Sequence, residues 1–73
     1  MEDFINEKIS LDPNKIYKDT VTKEIIPEKV AKKWFTITEQ TGLFKKQYKA
    51  VREYRGVTYT VLLDPEYVIF KLG

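Results

Sequence analysis

Apolar residues recur at helical spacing in two successive stretches near the middle of the chain. On a helix of 3.6 residues per turn, the first stretch places five residues on one side: Ile26, Val30, Trp34, Ile37 and Thr41. The pattern predicts helix over residues 27–41, as one helix or as two, with Trp34 and Phe35 in the core. A strand over residues 34–39 is the alternative, and it would put Trp34, Thr36 and Thr38 together on one face.

The second amphipathic stretch runs from Leu43 to Arg55. Its apolar residues fall within one arc of a helix, and its basic residues face away from that arc. Gly56 stands where a helix commonly ends on a residue in the left-handed conformation. The pattern therefore predicts a second helix over residues 43–55.

After Gly56 the apolar period changes from 3.6 residues to two. Four apolar residues alternate with more polar ones, which predicts a strand: Val57, Tyr59, Val61 and Leu63. The sequence Asp64-Pro65-Glu66 predicts a turn. Residues 67–72 are then a second strand, in which Phe70 faces Val61 on the buried side.

The N-terminal third carries weaker patterns. Residues 1–11 are expected to be either flexible or an edge strand. Asp12-Pro13 is typical of a helix start and predicts a short helix to about Lys23. The predicted fold class is therefore α+β, with two or three short helices packed on a C-terminal antiparallel β-hairpin. Residues 1–73 are expected to form a single small domain.

The charges are unevenly distributed along the chain. The total is only +2, but residues 29–55 hold eight basic and two acidic side chains. The candidate binding residues are the basic ones on the outward faces of the predicted helices: Lys32, Lys33, Lys45, Lys46, Lys49 and Arg52. Such a face attracts polyanions, so the expected partner is the phosphate backbone of a nucleic acid or an acidic protein surface.

The residue types needed for most catalysis are missing. The chain has no histidine and no cysteine, which removes the usual general base, the thiol nucleophile and the strongest transition-metal ligands. We expect no enzymatic activity, no cofactor and no metal site. No apolar run reaches the roughly 18 residues of a membrane span, so we expect a cytoplasmic protein without a membrane partner.

Two segments carry a resemblance to a known family. Val30-Ala31-Lys32-Lys33-Trp34 and Ile37-Thr38-Glu39-Gln40-Thr41, followed by a hairpin, resemble a winged helix-turn-helix DNA-binding domain. The resemblance implies a winged-helix-like arrangement and a role in transcription regulation. It also implies groove or phosphate contacts from five residues: Glu39, Gln40, Lys45, Lys46 and Lys49. Gly42 and the acidic wing tip at Asp64-Pro65-Glu66 depart from the family pattern.

The expected function is that of a small non-enzymatic regulatory protein that binds nucleic acid through a basic helical face. The alternative is an accessory protein of the phage or mobile-element type, which binds and modulates a host protein. A homodimer is a further expectation, because Leu62, Tyr67 and Ile69 would lie on the outer face of the predicted hairpin.

Overall fold

The computed structural model describes residues 4–42 and 44–73, and strands dominate the fold. In chain order its elements are β1 (Lys8–Ser10), α1 (Glu28–Ala31), β2 (Trp34–Thr41), β3 (Gln47–Tyr54), β4 (Val57–Leu63) and α2 (Pro65–Leu72). The strands form one antiparallel sheet in the order β1-β2-β3-β4. The predicted fold class is therefore wrong, because the helices do not pack on a C-terminal hairpin and the winged-helix-like arrangement is not formed.

The helix predicted over residues 27–41 is reduced to the four residues of α1, and residues 34–41 form the strand β2. Aromatic and β-branched residues dominate the start of this segment and favour a pleated, half-buried strand. Alternation along β2 buries Phe35 and Ile37 completely. Trp34, in contrast, is half-exposed, so the prediction that it is a core residue is wrong. The alternative strand is the correct interpretation of this stretch.

The second predicted helix is also a strand, β3, and its first predicted residue, Leu43, lies outside the described residues. Arg55 and Gly56 have φ angles of 51° and 78°, as a type I′ hairpin turn requires at both central positions. The left-handed glycine is thus a hairpin residue rather than a helix cap. The turn joins β3 to β4, and these strands pair without interruption from Tyr48 and Leu63 to Tyr54 and Val57.

The strand predicted after Gly56 is confirmed as β4, but the element that follows it is a helix. Pro65 occupies the first turn of α2, directly after Asp64, where its fixed φ angle suits a helix. Helix α2 buries Val68 completely and leaves Phe70 79% exposed. The predicted burial of Phe70 against Val61 is therefore wrong, since that pairing required a second strand.

The helix predicted from Asp12 to about Lys23 does not form. The Asp12 carboxylate accepts a hydrogen bond from the Asn14 backbone N–H at 2.9 Å, which closes a turn. Further along, Lys18 and Ile25 pair as an isolated antiparallel bridge. The connection between β1 and β2 is therefore made mostly of turns.

This long connection reaches the edge strand β4, at the far side of the sheet from β1. The Thr20 N–H donates to the Thr60 carbonyl at 2.8 Å. The Thr60 N–H donates to the buried carboxylate of Asp19 at 3.0 Å. These bonds satisfy backbone groups on β4 that point away from β3, and so they cover that edge of the sheet.

The core lies between one face of the sheet, the two helices and the N-terminal segment. Its centre is formed by seven buried residues: Ile9, Val30, Phe35, Ile37, Ala50, Val61 and Val68. Phe4 and Tyr48 meet edge to face, with ring centroids 5.8 Å apart. The Tyr67 hydroxyl on α2 donates to the Ser10 carbonyl on β1, and partial burial, with Tyr17 and Asp12 nearby, raises the pKa of Tyr67 to about 12.

The surface proposed for a homodimer is not assembled in this fold. Leu62 lies in β4, whereas Tyr67 and Ile69 lie in α2. The Tyr67 hydroxyl donates to the Ser10 carbonyl on β1. Homodimer formation itself stays a prediction, without the hairpin face that motivated it.

Candidate nucleic-acid interface

The six predicted binding residues do not share one helical face, because most of them lie on different elements. Lys32 and Lys33 follow α1, Lys45 and Lys46 lie between β2 and β3, and Lys49 and Arg52 are in β3. Strand β3 spans eight residues, so its ends are about 23 Å apart at roughly 3.3 Å per residue. Alternation also puts Lys49 and Arg52 on opposite faces of the sheet.

Two of these six residues have an acidic neighbour. The Lys32 ammonium lies 3.0 Å from the Glu28 carboxylate, one helical turn earlier. Lys49 is paired across the sheet with Glu39, and their charged groups are 3.6 Å apart. Exposed pairs of this kind contribute little to stability, but they reduce the net positive charge that these two lysines present.

Arg52 belongs to a different cluster, centred on Trp34. Trp34 begins β2, and because Phe35 is directed into the core, the indole is directed outward and is 50% exposed. The Arg52 guanidinium carbon lies 5.4 Å from the indole centroid, and its Nη1 donates to the Trp34 carbonyl at 3.2 Å. Lys8, on the neighbouring strand β1, places its Nζ 5.2 Å from the same centroid. The indole thus has a cation on each flanking strand.

A second aromatic ring at the same end of the sheet has the same kind of surroundings. Tyr54 ends β3 and packs partly against the core. The Lys29 Nζ from α1 lies 5.8 Å from its ring centroid, and the Arg55 guanidinium carbon from the hairpin turn lies 5.4 Å away. Both distances are within the range of a cation–π contact.

We call this region the basic end, and define it by six residues: Lys8, Lys29, Trp34, Arg52, Tyr54 and Arg55. It lies where β1 and β3 end and where β2 and β4 begin. Glu53, which is exposed, is the acidic residue within this stretch of β3. Each aromatic ring therefore has two cations beside it, with Trp34 on the outer face of the sheet and Tyr54 on the face that packs partly against the core.

The opposite end of the sheet is mixed in charge. A cleft of about 480 Å³ is lined there by six residues: Phe44, Lys45, Lys46, Asp64, Pro65 and Glu66. Its lining thus contains two lysines and two carboxylates. A second cleft, of about 330 Å³, lies beside residues 12–17, and its lining includes both carboxylates and lysines. Neither cleft presents a single sign of charge.

Sequence reasoning missed most of the basic end. Only Arg52 was in the predicted set, whereas Lys8, Lys29, Tyr54 and Arg55 meet through strand pairing and the position of α1. The strand alternative at residues 34–39 held the one available signal, because it placed Trp34 on the face opposite Phe35. The helix interpretation instead places that tryptophan in the core.

Three further observations bear on function. Within residues 4–42 and 44–73, no group of three or more His, Cys, Asp or Glu is arranged to hold a metal ion. Among the same residues, no helix has the length and apolar character needed to cross a membrane. Compared with known protein families, curated proteins and solved structures, the chain matches none of them significantly.

Proposed function

We propose that this chain binds nucleic acid through the basic end. Two clusters at this end of the sheet carry the proposal: Lys8 and Arg52 contact Trp34, and Lys29 and Arg55 contact Tyr54. Protein surfaces that bind nucleic acid usually combine cations that contact the phosphate backbone with aromatic side chains that contact the bases.

Folding alone gives a weak reason for this arrangement. An exposed cation–π contact is worth about 0.5–1 kcal/mol, and gathering four like charges opposes that gain. A polyanion would convert the repulsion into a favourable term, because bound phosphates release their condensed counterions. The basic end therefore suits a phosphate backbone better than it suits bulk solvent.

The proposal revises the predicted binding residues. Arg52 is retained, and the other three cations of the basic end join it. Lys45 and Lys46 share the lining of a cleft with Asp64 and Glu66, so they form the weaker candidate surface. The proposal does not include the helix-turn-helix mode of binding, because the segments that resemble that motif contribute to the short helix α1 and the strand β2.

The test compares two double variants that remove the same charge from opposite ends of the sheet. Lys29→Gln with Arg55→Gln changes the basic end, and Lys45→Gln with Lys46→Gln is the matched control. All four side chains are exposed, so both variants should fold like the parent. Binding to a labelled oligonucleotide would be followed by fluorescence anisotropy over a range of salt concentrations.

We expect the basic-end variant to bind more weakly and to show a shallower salt dependence. Each lost phosphate contact should reduce the slope of log K against log salt by about 0.7–0.9. The control variant should keep the parent's slope. Equal effects of the two variants would contradict the assignment of the site. No binding of the parent at low salt would overturn the proposal and leave the host-protein alternative.

A further inference from the structure

Trp34 adds a feature that phosphate binding does not require, namely a half-exposed indole ring. From this we infer that the nucleic acid is single-stranded and that one of its bases stacks on the Trp34 indole. The inference rests on the proposed function, since it names the class of nucleic acid that the basic end takes. It also assigns a base-contacting role to a residue that sequence patterns place in the core.

An exposed indole distinguishes single strands from duplexes by the availability of base faces. In a duplex the faces of the bases are stacked on one another, and only their edges are open in the grooves. In a single strand each base can present a face to an aromatic ring, whatever its identity. Trp34 can therefore contact a base closely only when the strand is unpaired.

The helices give little support for duplex recognition. A helix that reads duplex DNA lies in the major groove and carries side chains that reach the bases and phosphates. Here α1 has four residues, and α2 carries one basic residue, Lys71, near its C-terminal end. Lys71 lies 6.0 Å from the Tyr67 ring centroid. The cations of the basic end come mainly from strands and a turn instead.

Arg52 holds the indole in place before any ligand arrives. Its guanidinium lies over the ring while Nη1 donates to the carbonyl of the same residue. Within the described residues, the buried Arg52 Nε has no hydrogen-bond partner, so the aromatic contact and the carbonyl bond together position the group. A ring fixed in this way loses little conformational entropy when a base stacks on it.

Lys8 is the cation that can respond to a bound strand. It is exposed and lies on the short edge strand β1, and its long side chain can turn from the indole toward a phosphate. The base would then take the place of the ammonium group over the ring. Lys8 and Trp34 would in this way contact the phosphate and the base of one nucleotide.

The chain contains one tryptophan, so its intrinsic fluorescence reports on Trp34 alone. The parent protein would be titrated with three probes of equal length: an oligothymidylate, an abasic strand with the same phosphates, and a duplex. We expect strong quenching by the oligothymidylate and little quenching by the abasic strand or the duplex. An oligouridylate compared with an oligodeoxyuridylate, which has the same bases, would show whether the sugar matters.

Two substitutions separate stacking from charge. Trp34→Leu removes the π-surface, and Trp34→Phe keeps a smaller one. By anisotropy, we expect Trp34→Leu to weaken oligothymidylate binding roughly 5- to 150-fold, the usual range for one stacked base. Trp34→Phe should recover part of this loss. Affinity for the abasic strand should hardly change in either variant.

The outcomes distinguish the inference from the function on which it rests. If the parent binds all three probes with equal affinity and without quenching, nucleic-acid binding stands and the stacking role is overturned. If no probe binds at low salt, the proposed function fails as well. The fluorescence titration uses the parent chain, so it decides the question even if Trp34→Leu folds poorly.

Discussion

The Asp19 carboxylate and the neighbouring Thr20 N–H attach the long β1–β2 connection to the sheet at Thr60. The Asp19 Oδ1 accepts hydrogen bonds from the N–H groups of Val21 and Thr22 at 2.7 and 2.9 Å. Its Oδ2 accepts the N–H of Thr60 on β4 at 3.0 Å. Burial acts to raise the pKa of Asp19, but hydrogen bonds from Thr22, Thr60 and Val21 outweigh it and lower the pKa below the usual 3.8.

This lowered pKa gives a pH-dependent prediction. The ionised carboxylate stabilises the fold at pH values above the unfolded pKa of about 3.8, and this contribution is lost as the pH falls through the lower folded pKa. Asp19→Asn should cost about 1–3 kcal/mol at neutral pH, because the buried Thr60 N–H and the part-buried N–H groups of Val21 and Thr22 lose a charged acceptor. The difference from the parent should shrink in acid, as chemical denaturation over a pH series would show.

Glu24→Gln is the matched control for Asp19, because Glu24 is an exposed carboxylate in the same turn region. Its replacement should leave stability nearly unchanged at every pH. A stability difference for Asp19→Asn that stays constant from neutral to acidic pH would contradict the role of the ionised carboxylate.

At the scale of elements, burial is easier to predict from this sequence than secondary structure is. Ile26, Val30 and Ile37 are predicted to point inward and are buried, although they lie before α1, in α1 and in the strand β2 rather than on one helix. These apolar residues fit the core under either period. Trp34 differs, because its direction depends on whether the chain turns by 100° or by 180° at each residue.

The local sequence at the element boundaries does not decide between helix, strand and turn in this chain. The dipeptide Asp-Pro occurs twice, and its surroundings predict a helix start at Asp12 and a turn at Asp64. The structure has a turn at Asp12 and a helix start at Asp64. The deciding factors are distant, because β3 pairs with β4 and leaves residues 65–72 to cover the sheet. Strand β4 was predicted correctly, since its alternation and its flanking glycine are both local.

Helix α2 supplies a test of this assignment through two of its apolar residues. Val68 is fully buried and Phe70 is 79% exposed, so the smaller side chain should matter more. Val68→Ala should cost about 2 kcal/mol, because it removes two buried methyl groups and leaves a cavity. Phe70→Ala should change the free energy of unfolding by less than about 0.5 kcal/mol.

Urea denaturation of the parent and the two variants measures the change in the free energy of unfolding that each substitution causes. Alanine favours a helix at each position, so propensity does not explain a difference between them. A larger loss for Phe70→Ala than for Val68→Ala would indicate that residues 67–72 pair as a strand, as the hairpin interpretation required.

At the scale of the whole molecule, the N-terminal segment joins the core to the basic end. Strand β1 pairs with β2, and Ile9 lies opposite Phe35. Phe4 and Ile9 are buried on the inner side, whereas Lys8, on the same strand, approaches Trp34. A flexible N-terminus would be dispensable for folding, but an edge strand that carries core residues would not.

We therefore expect deletion of residues 1–10 to abolish cooperative unfolding. A folded chain of 73 residues has a free energy of unfolding of roughly 4–11 kcal/mol. Loss of the buried side chains of Phe4 and Ile9, at about 1.5–3 kcal/mol each, removes much of this free energy. The deletion also exposes the β2 edge to self-association and takes away the Ser10 carbonyl that Tyr67 contacts. Circular dichroism melting and gel filtration would measure both effects, and Lys8→Ala, on the same strand but exposed, should melt like the parent. A truncated chain that stays monomeric and melts within a few degrees of the parent would show that β1 contributes little to the core.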